Sequence, residues 1–209
     1  SFSSGDRLVT IGGMCKGAGM IAPKMTVPHA TMLCCITTDC IISNELLASM
    51  LGGVVDDSFN KVTVDGDMST NDTVIVMANG ASGVEIKPGS PDELHFKVAL
   101  TMVAQHLARA IAMDGEGATK FVSVEVRGAV SNRDAEVCAR TIANSLLCKT
   151  AWFGCDPNWG RVLAAAGRSG AAFSPENVSL DYDEMPVVRN GIDAGTPESE
   201  LAQVLKRGE

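Results

Sequence analysis

The sequence predicts an α+β fold, a layered sandwich of helices on a mixed or antiparallel sheet. Three observations carry this prediction. Short apolar or alternating stretches of strand length recur at residues 8–11, 32–38, 61–64, 73–78 and 121–127. Two long stretches, each opened by a serine, repeat apolar residues at helical spacing. Hydrophobic residues at 45% and charged residues at 20% describe a globular chain with a real core.

The elements follow in order. Residues 8–11 form a short strand that delivers a glycine-rich loop, and residues 32–38 (MLCCITT) read as a buried strand beginning at Thr31. Ser43 is the N-cap of a helix through about Leu51, ended by Gly52 and Gly53. Residues 61–64 and 73–78 are strands on either side of the loop DGDMSTND. Ser90, Pro91 and Glu93 open the clearest helix, with Leu94, Val98, Met102, Leu107 and Ile111 as its apolar row through about Met113. Residues 121–127 alternate as a half-buried strand, and Ser131 caps a second long helix through about Leu147. Turn formers at residues 154–160 precede a short apolar helix, residues 178–182 form a strand, and Thr196-Pro197-Glu198 opens a last helix.

Composition excludes several classes of function. A net charge of −8 argues against a nucleic-acid partner, because phosphate binding needs a Lys/Arg surplus. No apolar run approaches the roughly 20 residues of a membrane span, so no membrane partner is expected. Seven cysteines (15, 34, 35, 40, 138, 148 and 155) contain no CxxC pair and suit a reducing, cytoplasmic setting as small buried hydrophobes. The adjacent pair Cys34-Cys35 would point to opposite faces of a strand, so no metal site is read there. The chain starts at Ser1 in mid-pattern without an initiator Met and reads as a fragment or a processed chain. At 209 residues it should bury roughly 70% of its unfolded surface.

The chemistry concentrates in residues 12–33, GGMCKGAGMIAPKMTVPHATML. A threonine hydroxyl is a weak nucleophile until a base takes its proton, and a convenient base is its own α-amino group, with a reference pKa near 7.7–8. Thr31 gains that amine only if the Ala30–Thr31 peptide bond is cut. The small Ala30, the upstream glycines and the β-branched Thr31 suit attack by the hydroxyl on its own preceding carbonyl. His29, two positions before, offers a Thr-His alternative.

GGMCKGAGMIAP, ATML and TTD, followed by SFNKVTVDGDMSTNDTV, DGEGATK and K-T-A-x-x-G-x-DPNWGR, resemble the ornithine acetyltransferase (glutamate N-acetyltransferase, ArgJ) family, in order across nearly the whole chain. The resemblance implies the DmpA/ArgJ type of α+β fold, akin in logic to N-terminal nucleophile hydrolases. It implies a precursor that cuts itself between Ala30 and Thr31, with residues 1–30 ending one chain and residues 31–209 forming most of the other, short of its C-terminus, in one compact unit. Thr31 would accept an acetyl group from N-acetylornithine and pass it to glutamate in arginine biosynthesis. Lys16 and Glu116, with Thr31, would bind the amino-acid substrates. No metal or organic cofactor is implied, although acetyl-CoA is a possible donor. The partners implied are the two chains of the precursor, as an α2β2 heterotetramer. The family makes no use of a histidine at the position of His29.

The remaining shared segments read as structural. Asp65, Asp67, Asn71 and Asp72 lack the distal glutamate of an EF-hand and are expected to cap a turn. Asp156 and Arg161 flank a rigid turn that sets Trp159 against the core.

Two departures from the family pattern stand out. Four extra residues, TVPH, precede ATML. Their loop-closure cost is well under about 1 kcal/mol, but Pro28 restricts the backbone just before the bond to be cut. The Thr-Gly oxyanion hole and the C-terminal substrate contacts of the family would lie upstream of Ser1 and beyond Glu209. Two other readings remain: an amidohydrolase or aminopeptidase using the same nucleophile with water, and an inactive homologue acting as a subunit.

Overall fold

The computed structural model describes residues 1–25 and 31–208. They form two compact units, Ser1–Ala118 and Thr119–Glu209, where the sequence reads as one. The architecture is α+β, with one mixed sheet and two antiparallel ones.

In the first unit, β1 (Phe2–Ser4) and β2 (Arg7–Val9) form an antiparallel hairpin. β3 (Ile11–Lys16), β4 (Leu33–Thr38) and β5 (Thr73–Ala78) make a three-stranded sheet with β4 in the centre. β4 runs antiparallel to β3, pairing Lys16 with Leu33, and parallel to β5, pairing Leu33 with Thr73. The strand expected at residues 8–11 is therefore two strands, parted at Thr10, whose N–H donates to Asp39 Oδ1 at 2.9 Å. Gly12 and Gly13 belong to β3 and not to a loop. A Cβ on Gly13 would stand 3.0 Å from Cys35 O, Ile36 Cγ1 and Leu107 Cδ1, so this glycine lets a helix close onto the sheet.

That helix is α2 (Pro91–Met113), with the Ser90 cap and Pro91 where the sequence puts them. Its buried face matches the predicted row at Leu107 and Ile111 and departs from it at Leu94, Val98 and Met102. Phe96, Leu100, Ala104, Leu107, Ala108 and Ile111 are buried, whereas Leu94 and Met102 are 63% and 64% exposed. Two apolar rows run along this helix, and spacing alone does not say which one meets the sheet.

α1 (Asn44–Asp56) begins at the Ser43 cap but continues through Gly52 and Gly53. The glycines cost about 1 kcal/mol each in helix propensity, and burial of Val54 and Val55 beyond them offsets that cost. Residues 61–64 form no strand. Phe59–Lys61 is a 3-10 turn, and the Val64 N–H donates to Ile21 O at 2.6 Å.

The second unit holds α3 (Asn132–Ala143), α4 (Leu146–Phe153), α5 (Trp159–Gly167), an antiparallel meander of β6 (Leu180–Tyr182), β7 (Met185–Arg189) and β8 (Ile192–Asp193), and α6 (Glu198–Leu205). The single helix expected after Ser131 is broken at Asn144. Ser145 caps the new helix by accepting from the Cys148 N–H. Asn190 and Gly191, both at positive φ, make the two-residue turn between β7 and β8.

Residues 121–127 are not a strand. They keep the predicted alternation, with Val124 and Val126 packed against the core around Cys148 and Trp152, but no strand pairs with them among the described residues. An alternating side-chain pattern needs a partner backbone to become a ladder.

Candidate functional site

All of the candidate residues that fall within the described chain lie in the first unit. Lys16 is the last residue of β3, and Thr31 sits two residues ahead of β4. Because these strands pair with Lys16 opposite Leu33, the lysine side chain reaches back along the partner strand. Its Nζ donates to Thr31 O at 2.6 Å. An ammonium has three donors, and this contact uses one of them.

Glu116 follows α2 and is brought to the 17–20 segment that leaves Lys16. Its N–H donates to Ala18 O at 2.7 Å. A Cβ on Gly19 would come within 2.7 Å of Glu116 Oε2, so the glycine makes room for the carboxylate. Lys16 thus meets Thr31 directly, and Glu116 meets the connection between them. Ala30, the other half of the predicted cleavage site, and His29 lie outside the described residues.

The hydroxyl of Thr31 touches Ser69 Oγ, and it also points at Met20 Sδ, 3.8 Å away. Ser69 is 7% exposed and accepts the Asn71 N–H at 3.0 Å. The Thr31 N–H donates to Asp72 Oδ1 at 3.3 Å, and the Met32 N–H to the same oxygen at 2.9 Å. Asp65 does similar work on the other flank: it accepts from Met20 N at 2.7 Å and from Ile21 N at 3.1 Å. Met20 itself adopts φ +56°, a left-handed backbone uncommon for a residue with a side chain.

These contacts change how the acidic loop is understood. The sequence suggests that Asp65, Asp67, Asn71 and Asp72 cap their own turn. Asp65 does so in part, accepting the Asp67 N–H at 3.0 Å, but Asp65 and Asp72 also hold the backbone of residues 20–21 and 31–32, roughly forty positions earlier in the chain. Ser69 and Asp72 are the site residues that sequence reasoning missed. No local sequence signal announces them; the parallel pairing of Leu33 with Thr73 sets Asp72 beside Met32.

Among the described residues, no group of three or more His, Cys, Asp or Glu side chains is placed to hold a metal ion. No cysteine is in a disulfide. Burial pushes the Cys34 thiol up to about 12 and raises Cys15 as well, so neither supplies a ready thiolate beside the site. Asp156 and Arg161 lie in the second unit. There the Arg161 guanidinium donates to Leu147 O and Thr150 Oγ1 and ties α4 to α5, and Trp159 packs against the core around Val187 and Val188. No helix among the described residues is long and apolar enough to cross a membrane.

A threonine held at the head of the central strand of an α+β layer, with a lysine on its carbonyl and a carboxylate on its nitrogen, makes a hydroxyl-centred candidate site, with no metal-binding cluster among the described residues. The model of the ArgJ family matches residues 1–209, and the chain belongs to that family. It is 50% identical over 215 aligned positions to "Glutamate N-acetyltransferase" of Methanocaldococcus jannaschii, covering 100% of this chain and 52% of the relative. It is 51% identical to "Arginine biosynthesis bifunctional protein ArgJ" of Chlorobium chlorochromatii, over 94% of this chain and 45% of the relative. The chain thus spans about half the length of these curated relatives. The crystal structure of the arginine biosynthesis bifunctional protein of Bacillus halodurans superposes with a TM-score of 0.79 at 38% identity. It covers 83% of this chain and 81% of the solved one.

Proposed function

We propose that this chain is part of a glutamate N-acetyltransferase of arginine biosynthesis, and that Thr31 carries the acetyl group. The observation that carries the reading is the set of contacts on Thr31: Lys16 on its carbonyl, Asp72 on its nitrogen and Ser69 on its hydroxyl. Its carbonyl, nitrogen and hydroxyl are each held by a side chain, one from the end of β3 and two from the loop before β5.

The reaction begins with attack by Thr31 Oγ1 on the Ala30 carbonyl carbon, which moves the acyl group from nitrogen to oxygen. Water then releases the Ala30 carboxylate and leaves a free α-amine on Thr31. In the transfer, that amine takes the hydroxyl proton while Oγ1 attacks the acetyl carbonyl of N-acetylornithine. The C–N bond breaks, the proton passes to the departing ornithine nitrogen, and an acetyl ester remains on Thr31. The glutamate amine then attacks the ester, and Thr31 is regenerated. The remaining Lys16 donors suit a substrate carboxylate and Glu116 suits a substrate ammonium. The oxyanion hole and further substrate contacts come from parts of the protein beyond this chain, within a heterotetramer of two copies of each chain. The name "bifunctional" on the relative from C. chlorochromatii supports acetyl-CoA as a second donor. No cofactor beyond that donor is invoked.

The test uses the full-length natural protein with labelled N-acetylornithine. Denaturation in mid-turnover should trap label on the peptide that begins at Thr31, and initial rates should give the parallel double-reciprocal lines of a ping-pong mechanism. Intersecting lines with no trapped label would contradict the proposal. Label released to water at the transfer rate without glutamate would favour the amidohydrolase reading.

A further inference from the structure

We propose that Asp72 is the positioning residue for the α-amino group that Thr31 acquires on cleavage. Its carboxylate holds the amine against the nucleophilic hydroxyl and serves as the counter-ion when the amine takes the proton. This rests on the reading of Thr31 as an N-terminal nucleophile.

Asp72 is 3% exposed. Its Oδ1 accepts from the Thr31 and Met32 N–H groups, but its Oδ2 is fully buried with no hydrogen-bond partner among the described residues. Leaving a carboxylate oxygen buried and unpaired is costly, so a structural cap alone explains only half of this side chain. The uncut Thr31 nitrogen carries a single hydrogen, which Oδ1 already accepts. Cleavage turns the same nitrogen into an amine with two hydrogens, and the hydroxyl proton it then takes adds a third hydrogen and a positive charge beside the orphaned oxygen. The chemistry that satisfies Oδ2 is the chemistry that creates the base.

The geometry also orients the proton transfer. Ser69 Oγ, held by the Asn71 N–H, contacts Thr31 Oγ1 from one side, while Asp72 fixes the nitrogen of the same residue from another. In the acetyl step the Oγ1 proton moves to the amine as the C–O bond forms, and Asp72 stabilises the ammonium until the proton passes to the leaving nitrogen. Through its negative charge Asp72 favours the protonated amine and makes it the stronger base. The other charged groups on the elements packed around Thr31 are Lys16 at the end of β3, Asp65 and Asp67 in the loop before β5, and Glu116 after α2.

Asp72→Asn is the decisive variant, because its amide oxygen still accepts from Met32 N–H while the charge is gone. The variant is made in the full-length protein for cleavage. For kinetics its two chains are co-expressed so that Thr31 starts a chain without cutting. The single chain should cut at least about tenfold more slowly. The two-chain enzyme should lose roughly 10²-fold in kcat with KM for N-acetylornithine within about threefold. The acid limb of its kcat–pH profile should move down by about one unit or more. An Asn variant with the parent's kcat and acid limb overturns the proposal. Should Asn fail to give a cooperative unfolding transition, Asp72→Glu decides: a reduced kcat with the acid limb kept supports the role, and an unchanged kcat or a displaced limb overturns it. The parent protein separates the two levels. No species beginning at Thr31 in the parent defeats the nucleophile reading itself, whereas a cut, active parent with an indifferent Asn variant defeats only the role of Asp72.

Discussion

The two compact units differ in where their longer-reaching polar side chains go. In the second unit the helix caps are local, Ser131 for Asp134 and Ser145 for Cys148, and the longer reaches go to helix carbonyls, Arg161 to Leu147 O and Lys120 to Leu205 O. In the first, Asp65, Asp72 and Asn60 reach across the chain to the backbone of residues 20–21, 31–32 and 25. Local caps stabilise an element that would form anyway. Long-range carboxylate contacts fix irregular backbone, and here they do so at residues 20–21 and at residues 31–32. The long-range contacts of the first unit thus gather beside Thr31, on the edge of its core.

Substitutions can break this contrast, and the largest effect belongs to Thr31. Thr31→Ala in the full-length protein should abolish both cleavage and acetyl transfer, with turnover at background in a labelled-acetate assay; transfer that persists would move the nucleophile elsewhere. Asp65→Ala comes next, since it strips acceptors from Met20, Ile21 and Asp67 at once. It should cost about 1–3 kcal/mol in denaturant unfolding and lower kcat/KM by more than tenfold, because a turn beside the nucleophile loses its anchor. Gly13→Val pushes a side chain against Ile36 and Leu107 and should cost about 1–3 kcal/mol of overpacking. Ser145→Ala, the control from the second unit, should cost about 1 kcal/mol and leave kcat/KM unchanged.

The smallest effect appears only in alkali. The Cys34 thiol, ordinarily near 9.0, is pushed up to about 12 chiefly by burial, with the nearby Cys15 and Cys35 adding to it. The unfolded chain therefore releases this proton first as pH rises. The contribution of Cys34 to stability is complete below about pH 9 and is lost as pH climbs toward 12. Cys34→Val should flatten the decline of the thermal midpoint across that window while leaving the neutral value little changed.

What the sequence made legible was local chemistry. Ser43, Ser90, Ser131 and Pro91 announce helix starts through caps that need only their own neighbours, and the β5 stretch was visible as an apolar β-branched run. The misses needed partners. Residues 121–127 alternate like a strand but have no ladder among the described residues, and Gly12 and Gly13 look like a loop until β4 and α2 pack against them. The buried row of α2 is decided by the sheet, and the break at Asn144 by a second serine cap that a continuous apolar pattern hides. For the site, Lys16, Thr31 and Glu116 came from motif resemblance, and the structure brings Lys16 against Thr31. Ser69 and Asp72 became visible only through the parallel pairing of two strands whose starts lie forty residues apart.

The most direct test is an intact-mass measurement of the freshly purified full-length protein, followed by N-terminal sequencing. Two chains should appear, one ending at Ala30 and one beginning at Thr31, with the second gaining a single acetyl group on brief exposure to N-acetylornithine. One uncut chain that still transfers acetyl groups would contradict the assignment of Thr31 as an N-terminal nucleophile.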